Sequence, residues 1–122
     1  MTRSLRYTFG IHAIVALIFG AGLLIFPGRA LGLFGWSPVD PLVSRGLGAA
    51  LLALAWGSFR AWKATERKQV AILVETEAAF CVLACAGLLR HLLTANYPWY
   101  VWGVFVIFAA FAIAWIYALV KK

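Results

Sequence analysis

The residues best suited to carry out chemistry are two glutamates inside an otherwise apolar stretch. Glu75 and Glu77 lie roughly 10–13 Å inward from Lys68, counted at the rise of an α-helix. An ionisable group at that depth in a membrane is costly and indicates a functional site by default. His12 is predicted at a similar depth on the first helix, and Arg60 lies near the end of the second. These four residues form our candidate intramembrane polar cluster.

The cluster has two interpretations. In the first, an ion pair fixes the register of neighbouring helices, or the glutamate side chains extend to the inner interface. In the second, Glu75 and Glu77 form a proton- or cation-binding site. Both glutamates are expected to lean toward neighbouring helices, because they flank a face of small residues on their helix. That face consists of Val74, Ala78, Cys81 and Cys85.

Histidine and cysteine could also serve a cofactor, but their spacing is unfavourable. His12 and His91 are predicted on opposite sides of the membrane centre, about 20 Å apart by helix rise. One haem in a monomer therefore cannot use both, which leaves a haem between protomers or a haem with one histidine ligand. Cys81 and Cys85 are better explained as small packing residues. No phosphate loop, serine nucleophile or zinc pattern is present. The sequence therefore predicts no cofactor, metal or catalytic residue.

Four apolar stretches must position these side chains. They cover residues of about 7–26, 41–62, 70–93 and 99–120. A helix needs about 20 residues to cross a hydrocarbon core of about 30 Å. The chain has 122 residues, 65% hydrophobic and 12% charged, so four spans leave no room for a soluble catalytic domain. The predicted fold is all-α: a single domain, residues 1–122, forming an integral membrane bundle of four transmembrane helices with both termini on the same side.

The basic residues predict the orientation of this bundle. Eight of the eleven lie on the side of the termini: Arg3, Arg6, Arg60, Lys63, Arg67, Lys68, Lys121 and Lys122. Three lie on the other side: Arg29, Arg45 and Arg90. The positive-inside rule then places the N and C termini in the cytoplasm. The net charge of +7 therefore predicts contact with anionic lipid headgroups at the cytoplasmic face, not nucleic acid.

Small and aromatic residues predict how the helices pack and anchor. Small residues at four-residue spacing favour close helix contact in lipid. On the second helix this pattern selects Ala49, Ala53 and Gly57 as the packing face. Aromatic belts are expected at both interfaces, with Trp99, Tyr100 and Trp102 at the outer one and Trp115 and Tyr117 toward the inner one. The connection from Pro27 to Asp40 is expected to lie in the outer interface as a short amphipathic turn.

The segment from Phe26 to Ala55 carries a resemblance. It contains Phe-Pro at the end of the first helix, a Leu-Phe-Gly loop, Asp-Pro, and an Arg-x-x-Gly-Ala opening of the second helix. These elements resemble a pattern in a family of small four-helix bacterial inner-membrane proteins. The resemblance covers about a quarter of the chain. It implies a bacterial inner-membrane location and a multi-pass topology, and it carries no activity.

Three classes of function are compatible with these features. The scarcity of buried polar groups favours a non-enzymatic accessory, assembly or structural component, acting as a homo-oligomer or within a larger membrane complex. The first alternative is a small oligomeric proton-coupled transporter that uses Glu75 or Glu77. The chain resembles the small multidrug transporters in size and span count, although its first helix has no glutamate. The second alternative is a haem- or quinone-binding membrane anchor.

Overall fold

The fold is all-helical, as the sequence predicts. The computed structural model describes residues 2–33, 40–94, 96–97 and 99–121. It contains helices α1 (Arg3–Ile25), α2 (Pro27–Gly32), α3 (Pro41–Trp62), α4 (Ala71–Thr94) and α5 (Trp102–Val120). Short 3-10 turns precede α4 and α5 at Arg67–Gln69 and Trp99–Val101. The four long helices, α1, α3, α4 and α5, are each long and apolar enough to cross a membrane.

Local chemistry sets several helix ends. The Asp40 carboxylate accepts hydrogen bonds from the Leu42 and Val43 amides at 3.0 and 3.2 Å, so it caps α3 as its position before Pro41 predicts. Pro27 occupies the first position of α2. Because proline has no backbone N–H to donate, α1 cannot continue through it and ends before it. This short helix lies at the start of the connection where we expect an interfacial turn. Residues 34–39 of that connection, including Phe34 and Trp36, are outside the described residues.

Helices α1 and α3 approach each other through glycine. A Cβ atom added to Gly48 would lie 2.6 Å from the Leu24 nitrogen and 2.8 Å from the Gly20 oxygen, so only glycine permits this backbone contact. The packing face predicted for α3 is therefore wrong at Ala49 and Ala53, whereas Gly57 is half-buried beside Leu73 of α4. Ala49 and Ala53 are exposed, whereas the buried face carries Gly48, Leu51, Ala55 and Ser58.

The hydrophobic core lies at one end of the bundle, which we call the closed end. Its buried residues are Leu5, Phe9, Ala61, Val70, Val74, Ala78, Cys81, Ala112, Trp115 and Ala118. Trp115 is fully buried there, so its predicted place in an interfacial belt is wrong. Two arginines join chain segments at the same end. Arg6 donates to the Ala64 carbonyl at 3.3 Å, and Arg67 donates to the Ala118 carbonyl in the last turn of α5.

We call the opposite end of the bundle the cavity end. Helix α1 packs mainly on α3, and α4 packs mainly on α5. Between these two pairs lies an apolar cavity of about 240 Å³. The bundle is thus two helix pairs that are joined at the closed end and separated at the cavity end.

Candidate functional site

Three polar side chains meet inside the bundle, one from each of three long helices. His12 comes from α1, Ser58 from α3 and Glu77 from α4. Ser58 and Glu77 are 0% exposed and His12 is 4% exposed. Each lies on the buried face of its helix, so the contacts that pack the helices also bring these groups together.

The three side chains form a closed set of polar contacts, which we call the polar ring. His12 Nδ1 lies 2.8 Å from the Ser58 oxygen, and the Ser58 hydroxyl donates to Glu77 Oε1 at 3.3 Å. His12 Nε2 lies 3.3 Å from Glu77 Oε2, which is close enough for an ion pair. Glu77 Oε2 has no hydrogen-bond partner among the described residues, so its contact with His12 Nε2 is close but not aligned as a hydrogen bond.

The direction of the serine bond fixes where the protons lie. Because the Ser58 hydroxyl donates to Glu77, its oxygen must accept from Nδ1–H of His12. A further proton in the gap between His12 Nε2 and Glu77 Oε2 would make the ring uncharged as a whole. On the imidazole it makes an ion pair, and on the carboxyl group it makes a neutral pair. The ring as a whole is uncharged in both cases, and its loss of that proton would leave a buried negative charge.

Aromatic side chains surround the imidazole. The His12 ring lies 4.9 Å from the Phe111 ring and 5.6 Å from the Trp115 ring, both in edge-on geometry. Phe9 lies 4.9 Å from Trp115 on the side of the closed end. In such apolar surroundings, an unpaired polar group is costly and a satisfied hydrogen bond is strong. The three side chains of the polar ring therefore depend on one another for their hydrogen bonds and polar contacts.

Glu75 and Arg60, the other two residues of the predicted cluster, lie elsewhere. Both are exposed, and neither forms an ion pair with any described residue. Glu75 and Glu77 are two residues apart, so they project about 200° apart around the helix and only one can face the core. The expectation that both glutamates lean inward is thus wrong for Glu75. Arg60 occupies the last turn of α3, where the helix dipole favours a cation.

Comparison with known proteins does not extend this picture. No family model, curated protein or solved structure matches the chain. The resemblance over Phe26 to Ala55 therefore stays a prediction.

Ser58 is the member of the ring that the sequence analysis missed. A signal for it exists, because Leu51, Ala55 and Ser58 follow helical spacing and share the buried face of α3. Serine within a membrane span commonly hydrogen-bonds to a neighbouring helix. Choosing the face by alanine spacing, however, placed Ser58 outside the packing seam.

The histidines are already engaged by protein groups. Both ring nitrogens of His12 lie within 3.3 Å of Ser58 or Glu77 atoms, so neither is free to ligate iron. His91 Nε2 lies 2.5 Å from the Tyr97 hydroxyl. Within the described residues, no group of three or more His, Cys, Asp or Glu side chains is arranged to hold a metal ion.

Proposed function

We propose that this protein is a non-enzymatic, multi-pass component of the bacterial inner membrane, with an accessory or assembly role. The observation that carries this proposal is the polar ring, in which Ser58 hydrogen-bonds to His12 and Glu77 while the Glu77 carboxyl group faces the His12 imidazole. Catalysis requires groups within reach of a substrate, and the ring offers none of its polar atoms outward. A buried ring that links α1, α3 and α4 instead acts as a clamp that sets their register.

The proposed orientation has both termini in the cytoplasm. Eight basic residues against three support it through the positive-inside rule. The contacts of Arg6 with Ala64 and of Arg67 with Ala118 also support it, since they join the start of α1, the α3–α4 connection and the end of α5. Alkaline phosphatase, which needs disulfides, is active only when exported. A fusion after residue 122 should be inactive and one after residue 33 active; the reverse pattern would overturn the orientation.

Glu75 supports a protein partner for this component. It is exposed on α4 beside Thr76 and Ala79, about 6 Å from the helix start, and it has no ion-pair partner among the described residues. A carboxylate at a lipid-facing position is costly unless it reaches the interface or meets a partner. The partner we propose is a second copy of the chain or a larger membrane complex.

Site-specific photocrosslinking in native membranes tests the partner. A photoreactive residue at Ala79 should give a defined protein adduct. The matched control is Ile113, which is 70% exposed on α5. Equal adducts at the two positions, or lipid adducts only, would count against an interface on α4. Adding Glu75→Gln to the Ala79 probe should weaken the adduct if the carboxylate takes part.

Proton-coupled transport by an oligomer is the second candidate, and one observation favours it. His12 Nε2 and Glu77 Oε2 lie 3.3 Å apart inside the bundle, so one proton could move between them without changing the net charge of the ring. Proteoliposomes with an internal pH dye distinguish the candidates. For an accessory component, Glu77→Gln should leave proton entry unchanged. A flux that Glu77→Gln abolishes and Glu75→Gln retains would establish transport instead. A haem- or quinone-binding anchor has less support, because both His12 nitrogens are occupied.

A further inference from the structure

The cavity between the two helix pairs is large enough for a ligand. It has a volume of about 240 Å³, and all five helices contribute to its wall. An engineered apolar cavity of about 150 Å³ stays dry and binds benzene. His12 lies at one end of the cavity, and Leu23, Leu51, Leu88 and Val104 are among the residues along it.

The cavity wall is suited to hydrocarbon and not to a polar ligand. His12 is its one strongly polar lining residue among those described, and both of its nitrogens already face Ser58 and Glu77. Cys81 adds a thiol, which is only a weak donor. A quinone carbonyl would therefore find no free donor of normal strength. A hydrocarbon chain needs none, and it would restore the dispersion contacts that an empty cavity lacks.

A groove on the outer surface continues from the cavity. It runs along α1 and α2, and Phe19 and Ala30 line both the groove and the cavity. Arg29 is the charged residue of the groove. Its side chain is exposed and forms no ion pair with any described residue. A guanidinium group can bind phosphate through paired hydrogen bonds. The groove therefore combines an apolar path with a side chain suited to a phosphate group.

We propose that the groove and cavity together bind one membrane phospholipid. Its phosphate pairs with Arg29, and one acyl chain passes between Phe19 and Ala30 into the cavity. The order along α1 agrees with this arrangement, because Arg29 follows the end of that helix while the cavity extends back along it to His12. The Arg29 guanidinium thus lies where lipid headgroups are found, and the cavity lies at the depth of the acyl chains.

Native mass spectrometry of protein released from phosphatidylglycerol nanodiscs tests this site. The wild-type protein should retain one phosphatidylglycerol. Val104→Trp, which places an indole in the cavity, should lose it. Val106→Trp, the matched change at a position 60% exposed on the same helix, should keep it. Arg29→Gln should lower the affinity for phosphatidylglycerol about fivefold, as expected for the loss of one basic residue near anionic lipid. Arg45→Gln, at another exposed arginine, should not.

The two pairs of variants make the proposal falsifiable. Equal retention by Val104→Trp and Val106→Trp would show that the lipid lies on the outer surface and would overturn the cavity site. Retention by Arg29→Gln at the wild-type level would overturn phosphate recognition. It would then show that the acyl chain in the cavity, and not the phosphate, holds the lipid. Because Arg29 is exposed, this second pair gives a result even if Val104→Trp fails to fold.

Discussion

Removing the Ser58 hydroxyl should destabilise the bundle strongly, although the substitution removes a single oxygen atom. The hydroxyl donates to Glu77 and accepts from His12, so it closes the polar ring. In Ser58→Ala, His12 Nδ1–H and Glu77 Oε1 both lose their hydrogen-bond partner. Both residues are buried, so water cannot replace the hydroxyl without entering the core.

The magnitude follows from the number of bonds lost. Hydrogen bonds between membrane helices contribute about 0.6 kcal/mol on average and at most about 1.7 kcal/mol. Two bonds give a range of about 1–3.5 kcal/mol. The expected cost lies near the middle of this range, because an unsatisfied buried group costs about 1–3 kcal/mol. We therefore expect Ser58→Ala to lower the free energy of unfolding by about 2 kcal/mol.

Detergent-driven unfolding in mixed micelles, followed by circular dichroism, measures this difference. The control is Ser44→Ala, the same substitution at a buried position on the same helix whose side chain makes no hydrogen bond to a described residue. It should cost less than about 0.6 kcal/mol. Equal costs for the two variants would refute the clamp. Combining Ser58→Ala with His12→Phe should also be non-additive by about 0.5–3 kcal/mol, because the two residues share one network.

Three further predictions concern other parts of the bundle. Gly48→Ala should destabilise the bundle in the same assay, since the new Cβ would lie 2.6 Å from a backbone atom of α1. Gly57→Ala is the control and should be neutral or stabilising, because its Cβ would meet only side-chain atoms, at 3.5 Å. At a pH low enough to protonate both carboxyl groups, infrared difference spectra of Glu77→Gln should remove a carboxyl signal that exchanges slowly with D₂O, and those of Glu75→Gln should remove a fast one. Equal exchange would contradict the burial of Glu77. Arg67→Gln should raise amide hydrogen exchange in the last turn of α5 while the centre of α5 is unchanged, because the Ala118 carbonyl loses its donor.

The sequence predicts the helices well and their faces poorly. Run length and apolar composition are enough to find four spans, and Asp40 before Pro41 is enough to place the start of α3. Which face of a span is buried is harder to predict, because lipid-facing and core-facing positions are both apolar. Spacing alone therefore favours Ala49 over Gly48 and does not separate Glu75 from Glu77.

The polar ring was within reach of sequence reasoning only in part. The depth of His12 and Glu77 follows from helix rise, so their pairing could be anticipated. Ser58 required the correct rotation of α3, which depends on the contact between Gly20 and Gly48. The cavity could not be predicted in the same way, since it arises from how two helix pairs separate and not from any local pattern.

The ring and the cavity meet at His12, and their mechanical roles follow from that position. The ring joins the α1–α3 pair to α4 beside the closed end, and the cavity begins on the other side of the same imidazole. Few contacts join the two pairs directly, so an acyl chain that touches both would add a second connection. Loss of the ring should therefore matter less when the chain is bound. In phosphatidylglycerol nanodiscs the cost of Ser58→Ala should fall below its value in micelles, and Val104→Trp should restore the larger cost.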